Sequence, residues 1–182
     1  MMALLLAHIS IKKGEKMSIG ICGSIDYNSD EIEEEVDCAY FIMEQSIKWR
    51  LGCKLGGNIS EHAYDIMEKN TSKSPIFMEI MDTPLDNYAQ EMCQPSIDGD
   101  GDSEASIRQK LVSNFGDLQG FLKSIMKHEK VRGIVLYFNY EFWQEDDKVV
   151  EMQVDNFVDG MLENYKEKEY WAPVLKIVLM AR

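Results

Sequence analysis

With 182 residues, 45% hydrophobic and 10% aromatic, the chain can build a real core and does not have a disordered composition. Its 32 acidic and 19 basic residues leave a net charge of −13, which opposes binding to nucleic acid or anionic membrane and favours basic partners. Four prolines and no long Gly/Ser tract leave little room for a linker, so one α/β domain over residues 1–182 is expected.

The opening MMALLLAHISIKKGEKM has too short an apolar run for a secretory signal, with no basic stretch before it and no small-residue cleavage site after it. Leu4, Leu6, Ile9 and Ile11 suit a strand over 3–12. With a second strand over 18–27 and Gly14 in the turn between them, a β-hairpin is expected.

The stretch NSDEIEEEVDCAYFIMEQSIKWRLG then reads as a helix, with Asn28 or Ser29 as its cap and Gly52 as its stop. Ile32, Val36, Tyr40, Met43 and Ile47 recur at three-to-four spacing and form one apolar stripe. Acids crowd the first turns while Lys48 and Arg50 close the helix, as the helix dipole favours. A short helix over 60–69, capped by Ser60, and a strand over 74–82 follow.

Residues 83–102 read as loop, broken by Pro84 and Pro95. A long helix is expected over 103–129, which Gly116 could bend or split. VRGIVLYFNYEFW (131–143) is nearly continuous apolar, as a central strand should be. A turn at EDD, a helix over 153–168 and a strand over 172–182 complete a β-β-α-(α)-β-α-β-α-β order. That order predicts a sandwich of a mixed, largely antiparallel sheet with helices packed on it, beginning with the hairpin.

Asp98, Asp100 and Asp102 alternate with glycines in a way that resembles the start of a calcium loop. Position 6 of such a loop is Ser103 rather than glycine, and position 12 is Gln109 rather than the bidentate Glu. The bland reading is that Asp102 or Ser103 caps the helix that starts at Glu104. No metal site and no cofactor are expected. Cys22, Cys38, Cys53 and Cys93 form no C-x-x-C pair and read as reduced cytosolic thiols in the core.

No catalytic motif stands out from this many carboxylates. From Asp26 to Glu44 there are eight acids and no base, and from Glu79 to Glu104 eight more without Lys or Arg. A third group, Glu141, Glu145, Asp146 and Asp147, follows an aromatic strand exit at Tyr140–Trp143. If these blocks meet, they make one acidic surface with aromatic anchors for a protein partner. The partner-binding residues expected from charge are Glu33, Glu34, Asp98, Asp100, Asp102, Glu141, Glu145, Asp146 and Asp147, with Trp143 beside them. The bland alternative for each block is a solvated face, and for the aromatics a packed core strand.

The opening LLLAHISIKKGEKMSIGICGSI, the acidic helix SDEIEEEVDCAYFIMEQ and the strand with acidic exit GIVLYFNYEFWQEDD together resemble immunity proteins of bacterial contact-dependent growth inhibition pairs. The resemblance implies a cytoplasmic, non-catalytic protein that binds a cognate toxin domain, often a nuclease, and blocks its active site, with no nucleic-acid or membrane partner. It carries over no site residue. Two alternatives stay open: a small carboxylate- or metal-dependent enzyme, and an acidic regulatory protein with a non-toxin basic partner.

Overall fold

The computed structural model describes residues 20–28, 31–56, 59, 61–71, 74–81, 103–139, 149–168 and 174–178. Six strands form one sheet: β1 (Gly20–Tyr27), β2 (Gly52–Leu55), β3 (Ser74–Met81), β4 (Val131–Asn139), β5 (Val149–Met152) and β6 (Val174–Val178). Their order across the sheet is β2-β3-β1-β4-β6-β5. Every neighbouring pair is antiparallel except β5 with β6, so the sheet is mixed and largely antiparallel, as expected.

The first strand of the expected hairpin, 3–12, lies outside the described residues. Its second strand is β1, which holds the centre of the sheet: Ile25 stands opposite Ile76 of β3 on one side and Ile134 of β4 on the other. β2 and β5 are four residues each, too short for their hydrophobic patterns to stand out in the sequence, and both occupy sheet edges.

The helices are α1 (Ile32–Lys48), α2 (Glu61–Lys69), α3 (Glu104–Ile125) and α4 (Phe157–Lys168), the last entered through a 3-10 turn at Val154–Asn156. Side chains alternate across the strands, so β1, β3 and β4 each serve two cores. Ile21, Ile25 and Tyr27 of β1, Ile76, Met78 and Ile80 of β3 and Ile134 and Leu136 of β4 face the larger one. There they meet Cys38 and Ile42 of α1, Leu111, Phe115, Leu118, Phe121, Leu122 and Ile125 of α3, and Phe157, Val158, Met161 and Leu162 of α4. Phe115 and Phe157 pack edge to face at 5.8 Å, a favoured aromatic geometry.

The opposite sheet face presents Cys22, Phe77, Val135 and Tyr137 and is covered by α2 through Ala63, Ile66 and Met67. Tyr64 stacks on Phe77 at 4.2 Å. Ser24, on the same face of β1, is fully buried, and its hydroxyl has no hydrogen-bond partner among the described residues.

Local chemistry sets the helix ends. Ser103 caps α3 by accepting the Ser106 N–H at 3.3 Å, as expected of this position. Gly116 does not split α3, which runs unbroken for 22 residues. α1 begins differently from expectation. Its N-cap is Glu31, which makes no side-chain cap; Asn28 lies three residues earlier, its backbone N–H donating to the Lys130 carbonyl at 2.9 Å, and Ser29 lies outside the described residues. α1 also ends before Gly52. Arg50 N–H donates to Ile47 O and Leu51 N–H to Ser46 O, the paired bonds of a Schellman turn. Arg50 takes φ 55°, the left-handed position usually given to glycine, and Gly52 instead starts β2.

Candidate functional site

α1 shows an inversion that becomes the most informative surface of the protein. An apolar stripe on a helix ordinarily marks its core face. Here the stripe points outward: Val36 is 47% exposed, Tyr40 73% and Ile47 75%, with Met43 between them partly covered. The buried side is a quarter-to-half turn pattern of other residues, with Cys38 and Ile42 at 0% and Ser46 at 2%. Ser46 can be buried because its hydroxyl donates to the Met43 carbonyl at 2.8 Å. Trp49 completes the inner side. Its indole N–H donates to Ser124 Oγ of α3 at 2.6 Å, and its ring lies over Gly120, where an added Cβ would come within 2.2 Å of it.

At 100° per residue, Glu33, Asp37 and Glu44 fall along one border of the outward stripe. All three are exposed. On the other border Ala39 is partly buried and Ser46 turns into the core, with Glu35 exposed beside them at the N-terminal end. The surface is therefore an apolar ridge with a row of three carboxylates down one side and a single one, Glu35, on the other. Lys48 and Arg50 mark its C-terminal end.

Of the residues expected to bind a partner, Glu33 lies on this border. Glu34 points elsewhere: its carboxylate pairs with the Lys130 ammonium, and its backbone carbonyl accepts the Tyr27 hydroxyl at 3.1 Å. The hydrogen bond to Glu34 is the main cause that holds the Lys130 pKa above its usual value. Glu34 thus ties α1 to the β4 entry. Asp98, Asp100, Asp102, Glu141, Trp143, Glu145, Asp146 and Asp147 lie outside the described residues. The sequence reading named the ridge residues but not as a partner surface.

The three described thiols, Cys22, Cys38 and Cys53, are packing groups, and Cys93 lies outside the described residues. Burial pushes Cys22, Cys38 and Cys53 up to about 11, with nearby Glu79 and Glu35 adding to the first two. A reactive thiolate needs the opposite shift. His128 sits between the rings of Tyr27 and Phe41, at 5.7 and 5.1 Å, and its Nδ1 accepts the Lys130 N–H at 3.3 Å. Among the described residues no group of three or more His, Cys, Asp or Glu side chains is placed to hold a metal ion. Among the same residues no helix is long and apolar enough to cross a membrane. What the α1 surface offers is contact area and charge.

No known protein family, curated protein or solved structure matches the chain.

Proposed function

We propose that this protein neutralises a toxin by binding it, as immunity proteins of contact-dependent growth inhibition systems do, and that it acts in the cytoplasm without chemistry of its own. The observation that carries this reading is the exposed carboxylate row Glu33, Asp37 and Glu44 on the solvent side of α1, in a protein of net charge −13. A toxin domain that handles nucleic acid must present Lys and Arg to phosphates. An acidic surface competes for those groups and draws the toxin in by long-range attraction, which speeds encounter more than it deepens affinity.

The test is a pull-down and a protection assay with the C-terminal domain encoded by the neighbouring open reading frame. Binding that weakens from low to physiological salt, with rescue of cells expressing that domain, is the expected result. Absence of both binding and rescue overturns the proposal. A divalent metal that raises the melting temperature would then favour a carboxylate enzyme.

A further inference from the structure

The ridge on α1 has a spacing that specifies what covers it. Val36, Tyr40, Met43 and Ile47 step by four, three and four residues, the alternation of the two core positions of a coiled-coil heptad. Taking Tyr40 and Ile47 as the first core position, Asp37 and Glu44 fall at the fifth position of successive heptads, and Ala39 and Ser46 at the seventh. In helix pairs these flanking positions choose the partner and its orientation through salt bridges. The ridge is roughly 16 Å long, about three helical turns.

A second copy of the chain fits poorly. Antiparallel pairing sets fifth positions against each other and brings Asp37 and Glu44 together. Parallel pairing sets them against Ala39 and Ser46, which offer no countercharge. Both copies would also bring −13 to the contact. A helix with apolar residues at three-to-four spacing and Lys or Arg on the flank facing Asp37 and Glu44 satisfies both the ridge and its border.

We infer that the outward ridge of α1 is a docking site for one basic amphipathic helix of a partner protein, packed against Val36, Tyr40, Met43 and Ile47 with its cations along Asp37 and Glu44. This deepens the proposed function and rests on its reading of a basic protein partner. On that side Ala39 is small and Ser46 is turned into the core, so the incoming backbone can approach closely.

The probe is a labelled synthetic helix of about 21 residues with Leu at core positions and Lys at flanks, beside the same helix with Glu flanks. Fluorescence anisotropy with the full chain should show saturable binding of the Lys helix and a clear preference over the Glu helix. Replacing Tyr40→Ser together with Ile47→Ser should weaken binding about tenfold or more. Asp37→Lys with Glu44→Lys should reverse the preference toward the Glu helix. Val112→Ser removes a comparably exposed apolar side chain from α3 and should change nothing.

No binding of the Lys helix overturns the inference, as does binding unaffected by the Tyr40/Ile47 change or a preference unmoved by the charge reversal. Self-association of the chain that buries Tyr40 also overturns it. The two readings fail separately. A bound Lys helix with no toxin binding removes the immunity role and leaves the ridge; toxin binding untouched by Tyr40→Ser and Ile47→Ser does the reverse.

Discussion

The two sides of α1 carry apolar residues of similar kind and have opposite fates. The inner side is narrow and partly polar, built from Cys38, Ile42, Ser46 and Trp49, and it is packed. The outer side is the cleaner stripe and it faces solvent. The helix is held by the fit of small groups against α3 and the sheet, with Trp49 lying over Gly120, and not by its most regular apolar pattern. Periodicity identifies a stripe; the volume available beneath the helix decides which side goes down.

The largest test of this contrast is a matched pair. Ile42→Ala should destabilise the fold by about 2–5 kcal/mol, because it leaves a cavity in a closed core. Ile47→Ala, one and a half turns on, should stay within about 0.5 kcal/mol. Urea unfolding of both variants decides it, and similar losses would mean that the outer stripe is packed in solution.

Next is a pair on α3. Gly120→Ala should be destabilising, since overpacking against the Trp49 ring costs roughly 1–3 kcal/mol and exceeds the gain in helix propensity. At Gly116 an added Cβ meets nothing within 4 Å, so Gly116→Ala should stabilise by about 0.5–1 kcal/mol. Opposite shifts in melting temperature are expected one turn apart on the same helix.

A third test is in alkali. The thiol of Cys38 has an ordinary pKa of 9.0 and is raised by burial to about 11 in the fold. Between these values the unfolded chain has released the proton and the folded chain still holds it. Stability therefore falls as pH rises from about 9 to 11. Cys38→Ala should flatten that part of the stability profile, although it lowers the whole curve through lost packing. An unchanged slope would mean that the inner side of α1 is wet.

Much of the fold was legible in the sequence. The runs of β3 and β4 and the apolar spacing of α3 and α4 marked those elements close to their observed limits. Short edge strands were not legible: Gly52–Leu55 and Val149–Met152 have too few residues to show a period, and neighbouring strands hold them in place. The start of α1 misled because Asn28, a good cap by type, still follows β1, with its backbone N–H on the Lys130 carbonyl, and the helix is entered only at Glu31. For the site, Glu33 and the apolar stripe were read from the chain, but their shared exposure was not. That depends on where α3 leaves room, and α3 lies far away in sequence.

The central position of β1 has a consequence for synthesis. Tyr27 must find Ser74 on one side and Val131 on the other, so the strand made first among those described waits longest for its second neighbour. At roughly 5–20 residues per second, several seconds separate the appearance of β1 from that of β4. During that interval the backbone N–H and C=O groups along one side of β1 have no strand to bond. Pairings this distant in sequence also carry a large loop-closure entropy and slow the folding step itself. The strand that organises the finished sheet is thus, on the ribosome, an open edge that waits for the second half of the chain.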